Sequence, residues 1–564
     1  MAETPIIAVQ LNIEPDRTDS QVDAYFHAVG QCGLSHCRIV VHEEYCHEGG
    51  FGIYDTAFLS AGKHSVRIIL SISGQKDFYL SVVRHFASSP HLLAWEYRDG
   101  DCDYDSIKAI DPDHEIIVTG KSLTDFAKDS PKDALGVSVM PGLDYGWFPR
   151  RRIGKAVAAF CDMASSAAGD KPFWVTELQG GSNIYSGEHC FTPTQHEISQ
   201  WIWTAIGAGA KGIIIKSLNS PEDELLAGEM SLLNLQGRMT PRAEEVASIA
   251  RTISQRPELF AAATPVKSPV TVVYTRESLM AEKKLCRTGS FDPDYEMRYE
   301  GAVVKSLVAA YELISDRGII PDLREISEYD WDIADARGRC VVFAGQISVP
   351  TGYYPRIAGF VKRGGFVFVE GLSFCFDEHM NSVFSREFPL ANVFGGYVEE
   401  YNCRPGCYKV RIGKHKLWTQ LFAGYVHNEA SGESLRMLRN KYGRGRVLWI
   451  PSAIAFGAAA SEHRKLITSF LKKELEGIME GLPLVFSRRR YAVTMHQMQT
   501  PEGLMTIVSN NSAHRKRVKF PGNKRVSSMV YMNYYHDHPA KARNRKIKLR
   551  TGQTAVVLWK DKEQ

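Results

Sequence analysis

Eight short apolar, often β-branched runs alternate with helix-spaced stretches through the first 250 residues, and this alternation constrains the chain more than any other feature. The runs are Ile6 to Leu11, Cys37 to Val41, Val66 to Ile72, Leu92 to Trp95, Ile116 to Thr119, Leu135 to Val139, Phe173 to Thr176 and Gly212 to Ile215. Apolar positions at helical spacing lie between them, as in Val22 to Val29, Phe78 to Phe86, Ile153 to Met163 and Ile198 to Ile206. Strands separated by helices point to a parallel sheet, and eight of them to a closed (β/α)8 barrel. An open doubly wound sheet is the competing arrangement. No GxGxxG or Walker-type loop follows any of these runs, so nothing supports a nucleotide cofactor.

At 564 residues the chain exceeds one compact core. A Pro-rich stretch with Pro257, Pro265 and Pro269 marks the end of the barrel, giving an expected division into 1–262, 268–480 and 481–564. A hydrophobic fraction of 44% with 23% charged residues excludes disordered and collagen-like classes. The start MAETPIIAVQLN lacks a basic region followed by an apolar one, and no run of about 18 apolar residues occurs, so a classical signal peptide and a membrane span are not expected. Eleven cysteines, an odd number, fit free thiols in a reducing compartment, which points to the cytoplasm.

Charge is unevenly distributed. Residues 481–564 hold 17 Lys and Arg against 4 Asp and Glu; the whole chain holds 68 and 64, so residues 1–480 carry 51 against 60. The tail is therefore about +13 and the body about −9. Such a tail can dock on the acidic body or a neighbouring subunit, or bind nucleic acid. Docking or a solvated face is the more economical reading.

In a barrel, chemistry gathers where strands end at the C-terminal face. Glu177 stands out there, closing the run Phe173-Trp174-Val175-Thr176 just before Leu178-Gln179-Gly180-Gly181. Simple alternation puts Val175 and Glu177 on one face and Trp174 and Thr176 on the other. Val175 is then expected inside the barrel, and Trp174 under the helices. A carboxylate so placed can attack an anomeric carbon, or it can form an ion pair with a nearby cation.

Here the sequence resembles a known family. The segments KPFWVTELQGG, TAIGAGAKGIII and GEMSLLNLQGRMTPR are similar to the last two barrel strands and the exit of retaining β-galactosidases of glycoside hydrolase family 42. The resemblance implies that Glu177 is the nucleophile and that the substrate is a small β-linked carbohydrate. It also implies a homotrimer; the residues themselves lead us to expect no cofactor and no metal. Val270 to Tyr274, Cys340 to Ala344, the stretch Arg356 to Gly365 feeding Phe366 to Glu370, Lys441 to Ser452 as a late strand, and a helix at His463 to Leu475 resemble the family's Rossmann-like trimerisation domain. Alternating strands from about Leu482 to Lys560 resemble its small C-terminal β domain.

Retaining glycosidases pair the nucleophile with a proton donor about 5 to 5.5 Å away. The family places Asn-Glu at the end of strand four, five residues after a Trp. This chain has Trp95-Glu96-Tyr97-Arg98-Asp99-Gly100, with Gly100 where the acid/base is expected. Asp99 or Asp101 can supply the proton, Glu43 or Glu44 can reach over from strand two, or there is no proton donor and the chain is a weak catalyst or a carbohydrate-binding homologue. Glu96 lies one layer deeper and reads as an internal ion-pair partner.

Arg98, Lys121 and Lys216 end strands four, five and eight. Converging cations would favour an anionic sugar, or would simply neutralise Glu43, Glu44, Asp99, Asp101 and Glu177. Tyr145, Trp147 and Tyr185 are loop aromatics able to stack on a sugar, and Gln179 follows the nucleophile position. His42 and His47 flank Glu43-Glu44-Tyr45, and Cys403 and Cys407 lie four apart without a second ligand pair, which leaves the metal signal weak.

Overall fold

The computed structural model describes residues 4–46, 50–98, 103–120, 133–145, 149–186, 190–222, 226–285, 302–385, 388–533 and 542–561. The chain forms two compact units, one of residues 1–266, 492–518 and 523–564, the other of 267–491 and 519–522.

The first unit holds a closed parallel barrel. Its strands are β1 (Ile6–Leu11), β2 (His36–Val40), β3 (Arg67–Ile72), β4 (Leu92–Arg98), β5 (Glu115–Thr119), β6 (Ala134–Val139), β7 (Phe173–Gln179) and β8 (Gly212–Lys216), with β8 pairing back onto β1. The four helical stretches read from apolar spacing fall within Asp19–Gln31, Lys76–Phe86, Arg150–Ala168 and Gln195–Ala208. Two of these helices start in reciprocal caps, Thr18 with Gln21 and Thr194 with Glu197, each side chain taking up an amide that the helix leaves unpaired.

The lower barrel interior is filled by Ala8, Ile69, Ala94, Ile117, Ala134, Ile214 and Trp174. Three alanines make room for one indole. Trp174 therefore fills the interior instead of packing under the helices, and by alternation it is Val175 that turns outward. The cause is a bulge in β7. Against β6 the register runs Val137↔Val175 and then Ser138↔Glu177; against β8 it runs Val175↔Ile213 and then Leu178↔Ile215. One extra residue at Thr176 reverses the alternation, so Trp174 and Glu177 both face inward. The indole lies where β8 carries no side chain: a Cβ on Gly212 would fall 1.8 Å from Trp174 Cε3.

The same unit includes a five-stranded sheet in the order Lys524–Met532, Thr554–Asp561, Gly503–Asn510, Val493–Thr500, Thr264–Pro265. The Pro-rich stretch after the barrel thus contributes an edge strand. Tyr531 and Ser199 share a hydroxyl hydrogen bond of 3.0 Å, and Gln200 donates to the Gly552 carbonyl at 2.8 Å, tying this sheet to helix Gln195–Ala208.

The second unit is a Rossmann-like layer. Its sheet runs Asp322–Glu325, Val270–Tyr274, Cys340–Ala344, Phe366–Glu370, Gly445–Ile450, Leu438–Tyr442, parallel except for the last strand. Lys441 to Ser452 is not one strand: the chain reverses between Tyr442 and Gly445 into a hairpin, as the Gly443-Arg444-Gly445 sequence permits. The helix expected at His463 to Leu475 spans Lys465–Glu474. Cys403 and Cys407 flank an irregularity in a long hairpin, Gly396–Ile412 with His415–Asn428. No helix among the described residues is long and apolar enough to cross a membrane, and every described cysteine is a free thiol.

Candidate active site

Glu177 stands at the C-terminal end of the barrel with its side chain 8% exposed. Three cations meet its Oε1: Lys216 Nζ at 3.0 Å, Arg98 Nη2 at 3.1 Å and Arg38 Nη1 at 3.3 Å. Ser138 donates to Oε2 at 3.0 Å. Burial by itself would raise the carboxyl pKa, but Lys216, Arg38 and Arg98 outweigh it and hold the group far below the usual carboxylate range. The charge is therefore fixed at any physiological pH.

Beneath this lies a second layer of polar contacts. Arg38 is fully buried on β2 and donates to Gln10 Oε1 at 2.8 Å. Its Nε lies 2.6 Å from Oε2 of Glu96, which is itself fully buried. Thr119 donates to Glu96 Oε1 at 2.8 Å and contacts Thr176 Oγ1 at 3.1 Å. Glu96 is thus the internal ion-pair partner its depth in β4 suggested. Arg38 was visible in the sequence as a lone cation between Cys37 and Ile39 in a buried parallel strand. A guanidinium there requires a carboxylate opposite it.

The barrel mouth holds a cleft whose walls include Asn12, Glu14, His42, Arg98, Lys216 and Ser217; Glu177 is not itself in the wall and meets it through Arg98 and Lys216. Arg98 and Lys216, with side chains 26% and 17% exposed, reach both this cleft and the carboxylate. Glu14 accepts from the Tyr45 hydroxyl at 2.9 Å.

The remaining candidates are spread more widely. Glu43 and Glu44 form an exposed turn after β2, Glu44 lying 3.6 Å from His42 Nδ1, and neither contacts Glu177. Tyr145 is 1% exposed, edge-on to Phe160 at 5.0 Å between ring centroids, so its ring presents no open face to a sugar. Tyr185 is 93% exposed. Gln179 is buried as a brace: its Oε1 accepts the Gly142 amide at 2.6 Å, and its Nε2 donates to the Gly181 carbonyl and Asn183 Oδ1, each at 3.0 Å. Asp99, Asp101, Lys121, Trp147 and His47 lie outside the described residues.

Gln179 also fixes the turn Pro141–Asp144 against β7, and at the end of that turn stands Asp144. Its side chain is open to solvent at the mouth although protein crowds around it. That crowding raises its pKa, the Met140 amide at 2.7 Å opposes the rise, and the charge of Glu177 adds to it, leaving the carboxyl at about 7. No group of three or more His, Cys, Asp or Glu residues suited to a metal ion occurs among the described residues.

No family model matches the sequence, and no curated protein matches it. Solved structures do match. A β-galactosidase from Bacillus circulans sp. alkalophilus superposes with a TM-score of 0.76 at 12% identity, covering 99% of this chain and 100% of that one. The β-galactosidase of the haloarchaeon Halorubrum lacusprofundi gives 0.74 at 15% identity, with 98% and 99% covered. The cold-adapted β-galactosidase from Rahnella sp. R3 gives 0.74 at 13%, with 100% and 98% covered. The fold is that of these β-galactosidases. The likeness runs end to end, through the barrel, the Rossmann-like layer and the C-terminal sheet alike.

Proposed function

We propose that the chain is a retaining exo-β-glycosidase of the β-galactosidase type, acting on small β-linked glycosides with Glu177 as nucleophile. The observation that carries this reading is the bulge in β7, which turns an ionised carboxylate inward at the C-terminal end of a (β/α)8 barrel, against Arg98 and Lys216, which line a cleft at the mouth. Oε1 is saturated by three cations, so Oε2, held only by Ser138 among the described contacts, is the oxygen that attacks C1. As the C1–Oε2 bond forms, the bond from C1 to the aglycone oxygen breaks and that oxygen takes a proton from the general acid. Water then attacks C1, giving a proton back to the residue that acted as acid, and the C1–Oε2 bond breaks to free Glu177 and the sugar. A strongly depressed pKa makes Glu177 a modest nucleophile and a good leaving group, which favours the second step. Asp99 and Asp101, directly after β4, remain the proposed proton donors.

The fold shared with β-galactosidases supports this reading, and by the same resemblance we assign a homotrimer and the three-part division 1–262, 268–480 and 481–564. The free thiols suit a cytoplasmic setting.

A second reading is a non-hydrolytic carbohydrate-binding homologue. The triple cation clamp favours it, because a carboxylate so tightly held resists leaving its partners. An activated 2-fluoro glycoside separates the two. A glycosidase accumulates a covalent adduct on the peptide carrying Glu177, read by mass spectrometry, whereas a binding homologue shows saturable sugar binding and no adduct.

A further inference from the structure

The Rossmann-like layer carries a cavity of about 500 Å³ where strands Cys340–Ala344, Phe366–Glu370 and Gly445–Ile450 begin. This is the end of the sheet opposite to the one where open α/β folds bind nucleotides. Arg339 enters the wall just ahead of its strand, and Lys441, Arg444 and Arg446 enter it from the hairpin of Leu438–Tyr442 with Gly445–Ile450. Among the described residues no acid lines it. Eight Lys and Arg lie within three positions of a wall residue, against Asp335, Glu474, Glu476 and Glu480.

Lys441 and Arg446 are direct cross-strand partners, so two like charges share one face of the hairpin, which by itself destabilises it. Close packing keeps them there. A Cβ on Gly445 would fall 2.2 Å from the Val361 carbonyl oxygen and one on Gly443 2.7 Å from Lys362 Cα, so the hairpin is pressed onto the end of helix Tyr354–Lys362. Arg446 is answered: its guanidinium lies 4.1 Å from the Phe366 ring centroid and its Nη1 3.6 Å from Glu474 Oε2. The other three have no carboxylate partner among the described residues. Arg444 donates to the Arg363 carbonyl at 3.3 Å and Arg339 to the Ser268 carbonyl at 3.5 Å, while Lys441 forms no ion pair among the described residues. The acids around them are already engaged. Asp335, which Arg444 influences at longer range, is held by Arg337 at 2.5 Å, and Glu474 by Arg439 at 2.7 Å. Asp322, beside Ser268, lies 3.7 Å from Arg324, and Glu476 is exposed outside the wall.

Like charges drawn around one cavity repel each other, and an anion seated between them turns that cost into binding. Three uncommitted cations match the charge of two phosphate groups, each about −1.5 to −2 at neutral pH. A lone carboxylate would leave most of the excess unanswered. Two of the three are arginines, whose planar forks fit phosphate oxygens in pairs. The cavity volume falls in the range of small-molecule sites, roughly 300 to 1,000 Å³. We infer that this cavity binds a small ligand carrying two phosphate groups, a nucleoside diphosphate or a bisphosphorylated sugar, held by Arg339, Lys441 and Arg444. The site is separate from Glu177 and stands whether or not the barrel cleaves glycosides.

Calorimetric titration of the full-length protein in metal-free buffer with pyrophosphate, ADP, fructose 1,6-bisphosphate, inorganic phosphate and citrate tests the inference. At least one of the first three should bind about 10-fold or more tightly than inorganic phosphate, and more weakly as salt is raised to about 0.5 M. ADP ahead of fructose 1,6-bisphosphate assigns a nucleotide, and the reverse order a sugar. Lys441→Ala and Arg444→Ala, both at exposed positions, should each weaken that ligand about 10-fold or more. Arg411→Ala removes an exposed cation of the same unit outside the wall, and should leave the affinity within about 2-fold. Should either wall variant fail to fold by circular dichroism, Arg339→Ala and the ranking of ligands on the unaltered protein still decide. The inference is overturned by the absence of binding, by citrate binding as tightly as the diphosphates, by wall variants without effect, or by Arg411→Ala weakening binding as much as they do.

Discussion

Arg38 and Glu96 form an ion pair with Nε and Oε2 2.6 Å apart and no exposure of either side chain, directly beneath the carboxylate assigned to the chemistry. Removing one member of such a pair strands its partner in a medium that solvates charge poorly. Glu96→Gln should lower the unfolding free energy at pH 7 by about 3 kcal/mol, the usual cost of orphaning a buried charge, as read by urea denaturation. A loss under about 1 kcal/mol would mean that Glu177 alone suffices to hold Arg38.

The contact between Trp174 and Gly212 gives a second test. No rotation of the indole within the filled lower layer clears a methyl group 1.8 Å from Cε3, so either Trp174 or β8 must shift. Gly212→Ala should cost about 1–3 kcal/mol through overpacking, seen as a lowered Tm. Restoring stability by combining it with Trp174→Leu would place the strain at this contact.

These residues also mark how far the sequence could be read. Short continuous apolar runs located all eight barrel strands because parallel strands covered on both faces leave a dense β-branched signature. They equally placed Glu177 at the end of its strand. The orientation of Trp174 was misread because the bulge at Thr176 carries no glycine, proline or asparagine to announce it. The extra residue is revealed only by pairing with β6 and β8, which is a tertiary fact. Arg38 was passed over in the sequence although a cation inside an apolar strand is an anomaly, and its carboxylate partners come from β4 and β7, more than fifty residues away in sequence. Tyr145 and Gln179 are loop or strand-end residues whose types suit sugar binding equally well. Only packing shows that the first is enclosed and the second braces a turn.

In the Rossmann-like layer, Glu370 ends its strand completely buried, accepting the Ala455 amide at 3.0 Å. Burial pushes its carboxyl up to about 8, against the opposing pull of the Ala455 and Ile454 amides. A carboxyl that binds its proton more tightly when folded adds stability in full below its unfolded value near 4.5, and that contribution is lost as pH rises through about 8. Unfolding free energies of the unaltered protein and Glu370→Gln, measured from pH 5 to 9, should diverge in the variant's favour by up to about 1.4 kcal/mol per pH unit. Parallel curves would show that Glu370 ionises as readily in the fold as outside it.

Glu177 presents the opposite sign. Its folded pKa lies well below the unfolded value near 4.5, because Lys216, Arg38 and Arg98 outweigh the burial that would raise it. Its stabilising contribution is therefore complete above about 4.5 and fades as pH falls below that toward the folded value. Glu177→Gln keeps the shape but leaves three cations facing an amide, so at pH 7 it should destabilise the protein by about 3 kcal/mol while abolishing adduct formation with the 2-fluoro glycoside. At pH 3.5 the gap between the two proteins should narrow, since the native carboxylate has begun to give up its advantage. A variant as stable as the unaltered protein at pH 7 would mean that other acids at the mouth balance the three cations.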